Sequence, residues 1–199
     1  MMSTDILITA FDAFPGVADN PTAALLGSFP DSPCPALRSA RRLLLPTYYE
    51  TAPARLLAAL DPMPRAILML GYSRRATTVT LESLSSSRVL PDRPDARGHL
   101  PGSGSQPITV NRTRANLSLI RAALREAGLE SEISRDAGQY VCNHLYHAAL
   151  SGPCAGGGGP IGLFVHLPAI AGTELAAASA SAMTIDEMHS ALCTIARLL

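Results

Sequence analysis

Apolar positions along this chain fall into two rhythms, short unbroken runs and longer stretches repeating at helical spacing. The runs Asp5–Phe11 (DILITAF), Arg65–Tyr72 (RAILMLGY) and Ile161–Leu167 (IGLFVHL) predict strands buried on both faces, as in parallel sheets. Leu43-Leu44-Leu45-Pro46 predicts a further short strand. Thr77–Leu84 alternates more, which predicts an edge or half-exposed strand. Between these lie the helical patterns. Pro21-Thr22 opens one through Leu26, with proline at the favoured first position. Tyr48–Leu60 carries a second stripe, with Pro53 in its first turn. Arg112–Gly128 places Leu117, Ile120, Leu124 and Ala127 on one face, and Gly128 ends it. Thr184–Leu199 turns Ile185, Met188, Leu192, Ile195, Leu198 and Leu199 inward, with Thr184 and Glu187 as its capping box.

Strands alternating with helices predict an α/β fold, a three-layer sandwich with a mostly parallel central sheet and helices on both faces. Functional groups in such folds gather at the carboxyl ends of the strands. Ser85–Asn111 breaks the rhythm: rich in Pro, Gly, Ser and Arg, it is too long for an ordinary connection and reads as a functional loop or small excursion. Gly152–Pro160 is a flexible glycine tract.

A chain of 199 residues, 47% hydrophobic, can bury a full core and reads as one domain, residues 1–199. The formal net charge is zero and no basic stripe interleaves with aromatics, so nucleic acid is not an expected partner. MMSTDILITAF lacks the features of a signal peptide, and no apolar run reaches the ~20 residues a membrane helix needs. Four cysteines at irregular spacing suggest neither a disulfide framework nor a metal pair, and Cys34, Cys154 and Cys193 read as small buried residues. A reducing, cytoplasmic setting is the expectation. All 16 basic residues are arginine, which excludes Schiff-base lysines, Ser-Lys dyads and the Walker lysine. Gly156–Gly159 is therefore no phosphate loop. His144 and His147 share a helix face, but no third ligand is placed, so no metal and no cofactor are expected.

Chemistry concentrates in Glu132–Leu150, EISRDAGQYVCNHLYHAAL. The stretch turns through Asp136-Ala137-Gly138 and enters a helical pattern in which Cys142 stands at the start. A thiol at a helix N-terminus meets free backbone N–H groups and the positive end of the macrodipole, both of which favour the thiolate. A turn, then a cysteine, then a helix suits a nucleophile. Such a thiol needs a base close in space, and His166 ends the last strong strand.

SRDAGQYVCNHLYH resembles the active-site cysteine motif of the pyroglutamyl peptidase I (pyrrolidone-carboxylate peptidase) family. GLFVHLP resembles that family's histidine segment, a Phe-x-His-x-Pro pattern. The resemblance implies Cys142 as nucleophile and His166 as base. Thr80-Leu81-Glu82 following Leu70-Gly71 resembles the segment whose acid orients the histidine, implying Glu82 in that role. TAFDAFPGVADNP resembles the family's phenylalanine loop, so Phe11 and Phe14 would flank a five-membered lactam, with Asn20 offering polar contacts. By the same likeness Thr47, Tyr72, Tyr140 and Val141 fall at pocket positions.

Several positions depart from the family pattern. Ala10 and Pro15 replace glycines, Ser83 stands where a basic residue is usual, and Asp92 where an arginine is expected. Arg88 and Arg93 are the neighbouring candidates for that arginine. The implied activity is a cysteine peptidase releasing N-terminal pyroglutamate from peptides through a thioester. The implied protein is a soluble homodimer or homotetramer acting without nucleic acid or membrane. The alternatives are a cysteine amidohydrolase acting on another small acyl amide and a catalytically weakened homologue.

Overall fold

The apolar runs become the middle of a six-stranded sheet. The computed structural model describes residues 5–102 and 107–199, and its first half forms β1 (Ile6–Phe11), α1 (Pro21–Ser28), α2 (Pro35–Arg38), β2 (Arg41–Leu45), α3 (Thr51–Ala58) and β3 (Ala66–Tyr72). Next come β4 (Val79–Glu82), β5 (Leu84–Ser86), β6 (Val110–Arg112), α4 (Leu117–Glu126), β7 (Ser131–Ser134) and α5 (Val141–Ser151). The chain ends in β8 (Ile161–Leu167), β9 (Ala169–Ile170), α6 (Glu174–Ala177), β10 (Ala182–Met183) and α7 (Ile185–Leu198). The sequence readings at residues 1–4, and the part of the irregular segment at 103–106, fall outside the described residues.

Strand order is β2-β1-β3-β8-β4-β7. Pairing is parallel except where β4 meets β8. Alternate residues of each strand face opposite layers. Ile6, Ile8, Leu68, Leu70, Leu163 and Val165 pack toward α1, α4 and α7, and Leu7, Ile67, Met69 and Phe164 pack toward α3 and α5. This is the expected three-layer α/β sandwich. The Thr184–Glu187 capping box is present: Glu187 N donates to Thr184 Oγ1 at 3.2 Å, and Thr184 N to Glu187 Oε2 at 2.8 Å.

Two expectations need correction. The strand read from Thr77–Leu84 is not an edge: β4 lies between β8 and β7, and all four of its residues are buried. Its alternation has another cause. Val79 and Leu81 enter the core beneath α4 and α7, while Thr80 and Glu82 point the other way, where polar groups have work to do. Second, Cys34 and Cys193 are buried as expected but form a disulfide across 159 residues, fastening the start of α2 to α7. That bridge removes the cysteine-based argument for a reducing compartment.

Ser85–Asn111 is less irregular than its composition implies. β5 and β6 pair as an antiparallel hairpin at its two ends. Buried Asp95 then folds the intervening loop, accepting from the backbone N–H of Arg97 (2.9 Å), His99 (3.0 Å) and Tyr49 (3.3 Å). Among the described residues no helix is long and apolar enough to cross a membrane.

Candidate active site

The polar turn before Cys142 is built by short side chains bonding to their own backbone. Ser134 Oγ accepts from Asp136 N at 3.0 Å, and Asp136 Oδ1 accepts from Gly138 N at 3.0 Å. Gly138 takes φ +83°, a conformation glycine adopts without strain. The chain thus leaves β7, turns, and enters α5 at Val141. Tyr140, the capping residue, is extended and offers no side-chain acceptor, so the first N–H groups of α5 are left for another partner. Cys142 is the second residue of this helix and is partly exposed.

Beneath the thiol the backbone of β3 comes close. A Cβ on Gly71 would stand 2.7 Å from Phe164 Cζ and 3.1 Å from Cys142 Sγ, so only glycine fits. Gly71 pairs in register with His166 on β8. His166 Nδ1 lies 2.8 Å from Glu82 Oε1, and Cys142 is close enough to act on the charge of the same ring. With Nδ1 turned to the carboxylate, Nε2 is the nitrogen left for sulfur. Burial pushes His166 down, but hydrogen bonds to Cys142 and Glu82 and their negative charges outweigh it, raising its pKa to about 9. The structure therefore favours an imidazolium held between two acidic groups.

Two side chains outside this trio lock its elements together. The buried Tyr146 hydroxyl of α5 donates to the Glu82 carbonyl at 2.8 Å. Asn143, beside the cysteine, accepts from Ser86 N at 2.9 Å and donates to the carbonyls of Ser86 (2.8 Å) and Arg88 (3.0 Å). Neither was singled out from sequence, although Asn143 sits inside the cysteine motif.

The trio opens into a cleft of about 800 Å³. Its β1–β2 end is walled by Phe11, Phe14, Asn20, Thr47, Tyr72 and Tyr140, which the resemblance had placed there. Phe14 is fixed by a tight turn: Phe14 and Val17 exchange both backbone hydrogen bonds (3.1 and 2.8 Å) around Pro15 and Gly16, whose φ is +82°. Asn20 is committed locally, capping α1 through Thr22 N (3.0 Å) and donating to the Asp12 carbonyl (2.9 Å). Thr47 is held through Asp12, whose Oδ1 accepts from Thr47 N at 3.1 Å. The Tyr72 hydroxyl is 2.7 Å from Ser179 Oγ.

Val141 differs from expectation. It is fully buried in the layer beneath α3 and α5 and does not line the cleft, because its place in the first turn points the side chain at the core. Arg93, not Arg88, lines the cleft, its guanidinium 4.0 Å above the Tyr140 ring. Spacing alone could not choose between them, because the loop held by Asp95 decides which arginine turns inward. At the far end the cleft is lined by Arg74, Arg75, Thr80, Glu132, Ser134 and Asp136, none anticipated from sequence.

Among the described residues no group of three or more His, Cys, Asp or Glu side chains is arranged to hold a metal ion. His144 packs edge-on against Tyr49, with ring centroids 5.5 Å apart, and His147 bonds to Ser85, Thr109 and Asn111.

Comparison with known proteins places the chain in a family. The family model described as pyroglutamyl peptidase matches residues 4–197. Pyrrolidone-carboxylate peptidase 1 of Photorhabdus laumondii is 30% identical over 174 residues, covering 82% of this chain and 78% of that protein. The Escherichia fergusonii pyrrolidone-carboxylate peptidase is 29% identical over 197 residues, covering 94% and 88%. The solved pyroglutamyl peptidase I of Bacillus amyloliquefaciens superposes with TM-score 0.86 at 23% identity over 99% of this chain and 95% of that one. The Thermus thermophilus pyrrolidone carboxyl peptidase gives 0.84 at 26% identity over 98% and 100%.

Fold and relatives together define a cysteine-type peptidase on an α/β scaffold. Since the family model spans nearly the whole chain, the protein belongs to the pyroglutamyl peptidase family.

Proposed function

We propose that this protein hydrolyses the amide bond after an N-terminal pyroglutamyl residue, using Cys142 as nucleophile, His166 as acid and base, and Glu82 as the group that orients the imidazole. The observation carrying this reading is the Glu82–His166 contact of 2.8 Å, with Cys142 close enough to act on the charge of the same ring. With the proton already on His166, the Cys142 thiolate adds to the carbonyl carbon joining the pyroglutamyl group to the next residue. Backbone N–H groups at the uncapped start of α5 donate to the carbonyl oxygen as negative charge develops on it. A well-aimed donor of this kind is worth about 3 to 4 kcal/mol in peptidases. The C–N bond breaks as His166 returns the proton to the departing amine, leaving a thioester. Water then loses a proton to His166 and adds to the thioester carbonyl. The C–S bond breaks, and pyroglutamate leaves with the thiol restored.

The lactam sits between Phe11 and Phe14, whose flat apolar faces suit a small neutral ring. Closing the Phe14 turn with Pro15 and Gly16 holds that wall in place before substrate arrives. Arg93 supplies the positive group on the cleft wall beside Tyr140. The test is turnover of a chromogenic pyroglutamyl amide beside the alanyl and prolyl amides. Release from the pyroglutamyl compound alone supports the reading. Preference for either of the others would overturn it in favour of a different acyl amide.

A further inference from the structure

Where the leaving peptide lies follows from the two ends of the cleft. The lactam end belongs to the phenylalanine loop after β1, and sulfur and imidazole stand over β3 and β8 in the middle. The departing amine must meet His166, so the chain beyond it runs over β4 and β7. On that side one row of residues crosses three strands: His166 on β8 faces Thr80 on β4, and Thr80 faces Glu132 on β7. Paired residues project to the same face, so Glu132 shares the floor with the imidazole, about 10 Å away at two strand spacings. Its carboxylate is held there, since Thr80 Oγ1 donates to Glu132 Oε1 at 2.9 Å. No cation among the described residues makes an ion pair with it.

We infer that Glu132, positioned by Thr80, selects a basic residue immediately after the scissile bond. A lysine stem extends about 6 Å from its own backbone, which starts within hydrogen-bonding reach of His166, and so brings an ammonium to Glu132. An acidic residue in the same place would meet like charge. Arg74 and Arg75 also line this half and carry the opposite sign. All three side chains are exposed, but among the described residues no side-chain hydrogen bond holds either arginine, whereas Thr80 fixes Glu132 in the row that includes His166. Fixation gives the nearest subsite to the carboxylate and leaves the unheld arginines to residues further along the peptide.

This inference rests on the pyroglutamyl peptidase reading, and the experiment separates the two. Pyroglutamyl-lysine, -glutamine and -glutamate amides are compared by kcat/KM at low ionic strength, for the wild type and Glu132→Gln. The wild type should rank lysine over glutamine over glutamate, with about a twofold to fivefold step for each charge, as expected of a partly exposed pair. In Glu132→Gln the lysine-to-glutamate ratio should collapse toward one, and in the wild type it should shrink as salt is added. An unchanged ratio in the variant, or a wild type preferring glutamate, overturns the role of Glu132. Failure of all three amides would instead overturn the peptidase reading.

Discussion

The buried hydroxyl of Tyr146 donates to the main-chain carbonyl of Glu82 at 2.8 Å, tying the helix that carries the thiol to the strand that carries the acid. Removing it leaves a buried carbonyl without that partner. Tyr146→Phe should cost about 1 to 2 kcal/mol in denaturant unfolding and lower kcat more than it raises KM, because the damage is to alignment.

Cys142→Ser and His166→Ala should each abolish release of a chromogenic pyroglutamyl amide, and Glu82→Gln should reduce it less. Substantial activity in Cys142→Ser would remove sulfur from the mechanism.

The pH profile offers an independent check. His166 is raised from its ordinary 6.5 to about 9, with burial opposing the shift and Cys142 and Glu82 producing it. Activity that needs the imidazolium as proton donor should decline above about pH 9. In Glu82→Gln one of the groups holding the proton is gone, so this alkaline limb should move to lower pH. The same shift makes a stability statement. The contribution is complete below 6.5 and lost as pH rises through about 9, so unfolding midpoints should fall across that window, and fall less in His166→Ala.

Iodoacetamide near neutral pH should alkylate Cys142 first. Cys154 is buried, which pushes its thiol up to about 11, and Cys34 and Cys193 are paired. Peptide mapping after brief exposure reads the order, and preferential labelling of Cys154 would contradict it.

Gly71→Ala should be far worse than an ordinary glycine substitution. The new methyl would stand 2.7 and 2.8 Å from two Phe164 ring carbons and 3.1 Å from the Cys142 sulfur. Overpacking of this kind costs about 1 to 3 kcal/mol, and here the yielding groups belong to the site, so activity should drop at least tenfold. Thermal unfolding and kcat/KM measured together would register both losses.

Much of this was legible in the chain, for physical reasons. β1, β3 and β8 announce themselves because strands buried on both faces need unbroken apolar runs. α7 is marked by its capping box, and Cys142 by the polar turn before it. β4 misled because Thr80 and Glu82 are polar yet buried: its alternation records a core on one side and the cleft on the other. β5 and β6, three residues each and largely polar, carry too little apolar pattern to be seen. The Cys34–Cys193 bridge joins residues 159 apart, a distance at which spacing says nothing. The inward turn of Arg93 depends on a loop folded around Asp95, which no local pattern encodes.

The antiparallel seam of the six-stranded sheet has an outcome for evolution. Since β4 runs against β8, His166 lies opposite Thr80 and Glu82 opposite Phe164, so acid and base meet across a diagonal of the ladder. A one-residue insertion or deletion within β4 would rotate Glu82 and Thr80 into the greasy layer under α4 and α7, breaking the Glu82–His166 and Thr80–Glu132 contacts in one event. Length changes in this lineage should therefore be absent from Val79–Glu82 and concentrate in the long excursion between β5 and β6.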